Sequence, residues 1–534
     1  MTTILKTRSL GDIRGISAGG VTQFLGIKYA HLKNRFAGAE LIEERTGNVL
    51  DAMTDGPTAL SPSVGCEIEL GHVQHSLPRK ELTQSDIDCL NLNIAYPSDA
   101  SSSSRLPVLV YIHGGGLFIG ANSWPQNDLH RLVKLSTERG LSVVVVAINY
   151  RLGAPGFLTS EELRDAGYQA NNGLRDQRVA LEWVRKHIGD FFGDPENITV
   201  AGMSAGGASV TYHLHSQTPL FKRAISMSGT SLFVQALPYH VHEENYAKAI
   251  AALGLTDLTA EDRVQALLTM PSHELLAKLP PSILVAPAID SDIVLPGVTY
   301  TELGKKNSKI LPGNSWCQDL LIGDAEVDSS ILQVVAPHIN TNSTERFISA
   351  TRQALAPYPG EAERILNAYG ITSDTPDELS IHSILNFISD IMCHAAALSF
   401  ARGWSGNAYV YHFNEGNPWD GPWKGHANHI LDTAYLFQNF TEYLSSEQRA
   451  VGTAFAEDFF KFCHGIKPWP TFTPGNIQDG FSARIYGPSD KGMISSVATE
   501  AFGGDSMRRG ILFDSADSVS LDEYGKVFAI FMTC

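Results

Sequence analysis

Short apolar runs alternate with longer stretches of helical pattern along most of the chain. The runs at residues 106–112, 198–201, 318–323 and 408–413 each end at, or give way to, glycine or a polar residue. Apolar runs of this length, bounded in this way, are typical of buried strands. Their alternation with helices predicts an α/β fold, in which helices flank a central, mostly parallel sheet.

Two long regions, residues 232–315 and 330–405, carry the helical pattern. We expect them to be helical insertions that cover the carboxyl edge of the sheet and wall an active-site pocket. No linker, repeat or low-complexity segment divides the sequence, so we expect residues 1–534 to form one domain. The serine run at 101–104 is too short for a linker and predicts a hairpin loop.

The sequence Gly-Met-Ser-Ala-Gly at residues 202–206 carries the strongest chemical signal. It follows the apolar run at 198–201 and precedes small residues that can open a helix. Strand, G-x-S-x-G and helix form the context of a nucleophile elbow, in which a sharp turn exposes the serine hydroxyl. Glycine on each side lets the two backbones pass without Cβ clashes. Ser204 is therefore the predicted nucleophile.

A second motif follows the run at 106–112, which leads directly into His-Gly-Gly-Gly at residues 113–116. Successive glycines at a strand end leave backbone N–H groups free to point at a ligand. We expect the N–H groups of Gly115, Gly116 and Ala205 to form an oxyanion hole. One such donor is typically worth about 2.7–4 kcal/mol of transition-state stabilisation.

With these two motifs the chain resembles the type-B carboxylesterase/lipase family, α/β hydrolases that include the cholinesterases. Lys28 stands where that family usually has proline, and Phe192 replaces a glycine. Otherwise the similarity runs through nearly the whole chain, at residues 24–30, 35–36, 88–93, 149–151, 156–158, 172–177 and 192–195. The resemblance implies an α/β-hydrolase fold and a serine carboxylic ester hydrolase.

A serine nucleophile needs a base, and the base needs an acid that holds its tautomer. In this fold the chain order is serine, acid, histidine. Three carboxylates follow the apolar run at 318–323, namely Asp324, Glu326 and Asp328. The family places the acid five residues after a glycine, which favours Asp328 and leaves Glu326 and Asp324 as alternatives.

Two histidines, His426 and His429, are candidates for the base. The family has an acid three residues, an aromatic six and phenylalanine eight residues after its histidine. Asp432, Tyr435 and Phe437 fit that register from His429, so the resemblance favours His429 over His426.

Ser228 matches a family serine that hydrogen-bonds near the acid, which would give it a supporting role behind the triad. It is also readable as an ordinary serine at the end of a buried strand.

Departures from the family pattern narrow the substrate. Met203 stands where the family usually has glutamate, and the segment between Cys66 and Cys89 lacks the choline-binding tryptophan of cholinesterases. A quaternary ammonium needs an aromatic face or a nearby anion. We therefore expect a neutral, fairly apolar small-molecule ester or lactone, with Leu117, Phe118 and Met203 as candidate pocket residues.

Two other functions remain alternatives. An acyltransferase would use the same triad, with a bound alcohol in place of water. A non-catalytic scaffold of the same fold also occurs in the family, but such adhesion proteins lose the nucleophile, whereas Ser204 is present here.

Composition excludes several partners. A net charge of −17 argues against nucleic acid and against an anionic membrane surface. No Cys/His cluster has zinc spacing and no cofactor is implied. No apolar run reaches the length that spans a bilayer. Nothing in the sequence sets the oligomeric state.

The expected location follows from the N-terminus and the cysteines. The N-terminus lacks a secretory signal pattern, which favours a cytoplasmic enzyme, or a secreted one if a leader has been removed. Cys66 and Cys89 match positions that form a disulfide in secreted family members, and in a reducing compartment they would stay thiols.

Overall fold

A computed structural model describes residues 1–280, 283, 285–472, 481–499, 507–516 and 518–533. Its centre is one large sheet. The strands are β1 (Thr2–Lys6), β2 (Asp12–Ala18), β3 (Val21–Lys28), β4 (Ala30–His31), β5 (Glu40–Leu41), β6 (Leu50–Asp51), β7 (Asn91–Pro97), β8 (Leu106–Ile112), β9 (Val144–Ile148), β10 (Gly193–Met203), β11 (Arg223–Met227), β12 (Asp319–Ala325), β13 (Asn407–Phe413), β14 (Ala483–Tyr486) and β15 (Ser495–Ala498).

The sheet runs in the order β1-β2-β3-β7-β9-β8-β10-β11-β12-β13-β14-β15, with β6 beside β2. All pairings from β9 to β14 are parallel, and the strands outside this centre pair antiparallel except for β6 with β2. The carboxyl ends of β8, β10, β11, β12 and β13 therefore meet at one edge. In open α/β sheets, ligands bind at this edge.

The sheet is buried on both faces, which explains why its central strands are apolar throughout. On β8, Val108 and Val110 belong to one hydrophobic core, whereas Leu109 and Tyr111 belong to the other. Successive side chains of a strand point to opposite faces, so one apolar run supplies both cores.

Helices flank both faces of the sheet. They are α1 (Gly65–Val73), α2 (His130–Glu138), α3 (Gly153–Phe157), α4 (Glu161–Asp165), α5 (Asn172–His187), α6 (Ala205–His213), α7 (Tyr239–Leu253), α8 (Ala260–Thr269), α9 (Ser272–Lys278), α10 (Tyr300–Leu303), α11 (Leu332–Val335), α12 (Ser343–Ala354), α13 (Glu361–Ala368), α14 (Asp377–Ser389), α15 (Ala396–Gly403), α16 (Leu431–Leu436), α17 (Ser446–Cys463), α18 (Met507–Gly510) and α19 (Leu521–Thr533). A π-helical stretch, Asp390–Ala395, joins α14 to α15.

This architecture confirms the predicted α/β class with its mostly parallel sheet. The regions at 232–315 and 330–405 are helical as predicted, carrying α7 to α10 and α11 to α15, while residues 281, 282 and 284 lie outside the described part.

Two expectations about particular segments are wrong. The serine run at 101–104 does not close a hairpin, because β9 lies between β7 and β8 in the sheet. The continuous helix Asp377–Gly403 is long and apolar enough to cross a bilayer, contrary to the expectation that no run is. Its most apolar window is 94% buried inside the protein, which is typical of a core helix.

Candidate active site

Ser204 occupies the sharp turn between β10, which ends at Met203, and α6, which begins at Ala205. Its backbone has φ 56° and ψ −124°, a conformation that a side-chain-bearing residue rarely adopts. The N–H of Ser204 donates to the carbonyl of Met227 at 2.8 Å, which ties the turn to the end of β11. Ser204 is half-buried while its chain neighbours are buried, so the turn exposes this residue in particular.

Glycines make this turn sterically possible. A Cβ at Gly202 would overlap the carbonyl of Gly206, and a Cβ at Gly206 would overlap that of Ile112. A Cβ at Gly229, just after β11, would overlap the carbonyl of Ser204. The backbone of the turn is therefore packed on both sides, and this packing holds Ser204 in its strained conformation.

The glycine loop after β8 lies against the same turn. A Cβ at Gly114 would lie 3.1 Å from the Ser204 Cβ. Gly115 and Gly116 have φ values of 98° and 62°, which glycine adopts without strain. No acceptor in the described part of the chain takes either N–H. Ala205 opens α6, where the first N–H groups have no partner within the helix.

The structure brings His429 and Asp328 together. Nδ1 of His429 lies 3.0 Å from Oδ1 of Asp328, and both side chains are buried. The second carboxylate oxygen of Asp328 accepts the N–H of Ala325 at 2.9 Å. Nε2 of His429 is buried and has no hydrogen-bond partner among the described residues. Since Nδ1 donates to the carboxylate, Nε2 is left as an acceptor.

The two alternative acids face other histidines. Glu326 lies 3.6 Å from Nδ1 of His426 and accepts the N–H of Ala427 at 3.1 Å. Asp324 lies 2.7 Å from Nδ1 of His412. Of the three carboxylates, only Asp328 contacts His429. Each carboxylate therefore has a different histidine partner.

The group formed by Asp324, His394 and His412 could hold a metal by its donor types, since its ligand atoms all lie within 4.8 Å of one another. Arg509 already donates to Asp324 Oδ1 at 3.1 Å. The charge of this buried carboxylate is therefore balanced within the protein, and the guanidinium and imidazoles hold its pKa well below the usual range. This donor set fits a structural ion-pair cluster better than a metal site.

Ser228 does not contact Asp328 directly. Its hydroxyl donates to Oδ2 of Asp432 at 3.3 Å, and the hydroxyl of Tyr411 donates to the same oxygen at 3.0 Å. Burial, together with the negative charge of Asp328, raises the pKa of Asp432 to about 6. Asp432 is therefore a second buried carboxyl group close to the candidate acid Asp328, and Ser228 is one of its hydrogen-bond donors.

The candidate pocket residues differ in accessibility. Leu117 is 1% exposed and packs into the hydrophobic core, and Met203 is 3% exposed. Phe118 has 40% of its surface exposed. Of the three, only Phe118 presents an open side chain beside the glycine loop.

Cys66 and Cys89 are free thiols, so the disulfide implied by the family resemblance is not formed. The Cys66 thiol contacts Oε1 of Gln126 at 3.9 Å. Cys89 is fully buried, and its pKa is raised to about 12 by burial and by the charge of Asp176. The two thiols lie in different surroundings.

Helix α1 contributes two groups that the sequence did not reveal. His72 Nε2 lies 3.1 Å from the hydroxyl of Ser330, which also accepts the backbone N–H of His429. Burial, reinforced by His429, lowers the pKa of His72 to about 3. Glu69, one turn earlier, accepts from Gln126 at 2.9 Å, and burial raises its pKa. Their i, i+3 spacing places both side chains on one face of α1. The sequence does not indicate which part of the protein that face contacts.

Phe233 is a further residue near His429 that the sequence analysis did not predict. Its ring centroid lies 6.4 Å from that of His429, and it follows β11 in a segment without local motif.

The structure contains a strained serine at a strand–helix turn, a glycine loop with free N–H groups and a buried His–Asp pair. Among the described residues no hydrogen bond joins Ser204 to His429. The fold, with a strand–turn–helix at Ser204, defines the class as an α/β hydrolase. Comparison with known proteins identifies the family: the Carboxylesterase family profile matches residues 1–471. The chain belongs to this family and is a carboxylic ester hydrolase.

Individual relatives include two esterases and one protein described as inactive. The para-nitrobenzyl esterase of Bacillus subtilis is 29% identical, over 88% of this chain and 90% of its own. The solved structure of a thermophilic PNB esterase superposes with a TM-score of 0.74 at 25% identity, over 96% of this chain and all of that one. The inactive carboxylesterase-like protein VdtD of Byssochlamys spectabilis is 26% identical, over 84% of this chain and 82% of its own.

Proposed function

We propose that this protein hydrolyses neutral, fairly apolar carboxylic esters or lactones through a triad of Ser204, His429 and Asp328. The proposal rests on two observations. The buried His429–Asp328 contact of 3.0 Å leaves Nε2 of His429 without a hydrogen-bond partner among the described residues, and the strained turn after β10 exposes Ser204.

In this mechanism Oγ of Ser204 attacks the ester carbonyl carbon while Nε2 of His429 accepts the hydroxyl proton. Asp328 stabilises the imidazolium through Nδ1. The protonated His429 then gives its proton to the leaving alkoxide, which departs as the alcohol. Water adds to the acyl-enzyme by the same steps in reverse, and the carboxylic acid leaves.

The oxyanion of each tetrahedral intermediate would be bound by the N–H groups of Gly115, Gly116 and Ala205. Support comes from the unused N–H groups of the two glycines and from the position of Ala205 at the start of α6. Such donors act strongly because they are fixed before the charge develops.

The preference for a neutral substrate rests on what surrounds the nucleophile. Met203 is buried and apolar at the position next to Ser204. Glu69 lies on α1, and its carboxylate accepts from Gln126 at 2.9 Å. The position next to the nucleophile therefore offers no anion for a quaternary ammonium.

The test is turnover of p-nitrophenyl esters from acetate to decanoate by the wild type and by Ser204→Ala. We expect an optimum in chain length that the variant abolishes. A choline ester and a neutral ester of equal acyl length, compared side by side, test the substrate class. Faster turnover of the choline ester would contradict the proposal.

An acyltransferase is the second candidate, because the same acyl-enzyme can be attacked by an alcohol instead of water. Product analysis at increasing alcohol concentration separates the two, since an acyltransferase forms the new ester in preference to the acid. A relative described as inactive makes a scaffold the third candidate. Covalent labelling of Ser204 by an organophosphonate would exclude that role.

We also propose that residues 1–534 form one domain and that the enzyme works in the cytoplasm. The free thiols of Cys66 and Cys89 support a reducing compartment.

A further inference from the structure

Helix α1 contacts two separate parts of the candidate active site. At its first residue, Gly65, the helix packs against the segment that follows the glycine loop, since a Cβ on Gly65 would lie 3.0 Å from Cγ2 of Ile119. Near its end, His72 contacts the hydroxyl of Ser330, and the ring centroid of His72 lies 6.5 Å from that of His429. One side of α1 therefore extends from the glycine loop to the proposed base.

Glu69 lies on this side of α1, between the two contacts. Residues 65, 69 and 72 are spaced i, i+4 and i+7, which places them on one face of a helix. Gly65 and His72 are buried, whereas Glu67 and Gly71 on the opposite face are exposed. The side chain of Glu69 is therefore on the inner face of the helix.

Electrostatic effects agree with this position. Burial, followed by the charge of Glu69, raises the pKa of Tyr111 near the end of β8 and that of Tyr150. The Tyr150 ring stacks on His113, which opens the glycine loop, with ring centroids 4.6 Å apart. Burial also raises the pKa of Glu69 itself, and the charge of His429 opposes this effect. The carboxyl group is therefore close to both the glycine loop and the proposed base.

One oxygen of the Glu69 carboxyl group is available to a ligand. Oε1 accepts from Nε2 of Gln126 at 2.9 Å. Oε2 has no donor among the described residues, and it is not enclosed but keeps access to solvent. Since Glu69 is on the inner face of α1, this access is on the side of the active site. Oε2 is therefore a reachable acceptor beside the glycine loop and His429.

We propose that Glu69 determines specificity by binding a hydroxyl group on the alcohol part of the ester substrate. The inference rests on the proposed function, in which His429 protonates the leaving alcohol and therefore lies next to it. A hydroxyl group leaves the substrate neutral. It can donate to the ionised carboxylate of Glu69 and accept from the protonated carboxyl group, so it suits both states. The substrate class is a neutral ester of a diol or another hydroxylated alcohol.

Two pairs of esters of matched size test the proposal. 3-Hydroxypropyl hexanoate and butyl hexanoate differ only by a hydroxyl in place of a methyl group on the alcohol part. Butyl 6-hydroxyhexanoate and butyl heptanoate carry the same exchange on the acyl part. With acid release followed by pH-stat, we expect the wild type to have at least about threefold higher kcat/KM for the hydroxypropyl ester than for its partner. The acyl pair should show no such preference.

Three variants locate the hydroxyl contact. Glu69→Met removes the acceptor and should lower kcat/KM for 3-hydroxypropyl hexanoate about ten- to hundredfold, the range for a hydrogen bond to a charged group. Activity on butyl hexanoate should stay within a few-fold, which also shows that the variant is folded. Glu69→Gln keeps the shape but not the charge and should give an intermediate loss. Glu67→Met, on the exposed face of the same helix, is the matched control and should change neither ester.

Binding of the two hexanoates to Ser204→Ala, measured by calorimetry, separates this inference from the proposed function. If the hydroxypropyl ester binds more tightly there but the wild type hydrolyses neither ester, only the proposed function fails. If the wild type hydrolyses both hexanoates equally well, or if Glu69→Met keeps the full hydroxyl preference, the inference about Glu69 is wrong while ester hydrolysis stands. A preference found only in the acyl pair would also overturn it.

Discussion

Nδ1 of His429 lies 3.0 Å from Oδ1 of Asp328, and both side chains are buried. Three residues earlier, His426 is half-exposed and lies 3.6 Å from Glu326. The two histidines therefore have the same kind of partner but very different solvent access. A buried pair holds one orientation, whereas an exposed pair is worth about 0–1 kcal/mol and exchanges with water.

The first prediction compares these two histidines. His429→Ala should lower kcat on the order of 10⁴-fold, because the proposed base is removed. His426→Ala should change kcat only a few-fold. Steady-state kinetics on one p-nitrophenyl ester checks both, and thermal unfolding shows that each variant is folded. The reverse ranking would assign the base to His426.

The second prediction concerns the acid. Asp328→Asn should lower kcat about 10⁴-fold while the fold persists, because an amide that donates to Nδ1 fixes the wrong imidazole tautomer. Glu326→Gln is the control, since Glu326 contacts His426 instead, and it should keep kcat within a few-fold. Equal losses in the two variants would argue against Asp328 as the acid.

Local sequence predicted the parts of the site that depend on backbone geometry. The turn at Ser204 and the glycine loop at Gly115 follow from glycine spacing next to apolar strands, and the structure has both where they were predicted. The acid and the base could be predicted only from the spacing of residues in the family motifs. In the structure that register agrees with the contact between Asp328 and His429, while their catalytic roles stay predictions.

Long-range packing was not predictable from local pattern. Nothing in the α1 sequence indicates that His72 reaches Ser330, a contact across 258 residues of chain. In the same way, β9 inserts between β7 and β8 although it follows both in the sequence. Such contacts depend on how distant elements meet, and a pattern of apolar and polar residues in one segment does not encode this.

The third prediction separates two glycines of the proposed oxyanion loop. A Cβ at Gly115 would overlap the carbonyl of Ile119, whereas a Cβ at Gly116 has no atom within 4 Å. Gly116→Ala should therefore cost about 1–2 kcal/mol of unfolding free energy, from its left-handed φ alone. Gly115→Ala should cost more than twice as much and lower kcat about 10²- to 10³-fold through a displaced N–H.

Urea unfolding and kcat measured on both variants check this difference. If Gly116→Ala were as destabilised as Gly115→Ala, the described loop geometry would be wrong.

The fourth prediction concerns the cysteines. Alkylation in denaturant without reductant should modify both Cys66 and Cys89, because both are free thiols. A reductant should leave the Tm unchanged. Mass spectrometry of a non-reduced digest is the direct check, and a peptide that joins Cys66 to Cys89 would contradict the structure.

The last prediction uses the pKa of Asp432, which burial and the charge of Asp328 raise to about 6. An ordinary aspartate titrates near 3.9. Between about pH 4 and 6 the folded state therefore keeps a proton that the unfolded state has released. Stability must fall as pH rises through this window, because the folded state binds more protons. A pKa shift of this size lowers the free energy of unfolding at pH 7 by about 1–4 kcal/mol.

Asp432→Asn tests this directly, because the amide cannot ionise. Its oxygen can still accept the N–H of Thr433, and its NH2 group can donate to the hydroxyl of Tyr411 or Ser228, which then accepts instead of donating. Relative to the wild type, the variant should gain unfolding free energy as pH rises from 4 to 7, measured by urea unfolding at several pH values. The same substitution in an Asp328→Asn background should show a smaller gain, because the like charge that raises the pKa is absent. A difference between variant and wild type that is constant with pH would show that Asp432 titrates normally.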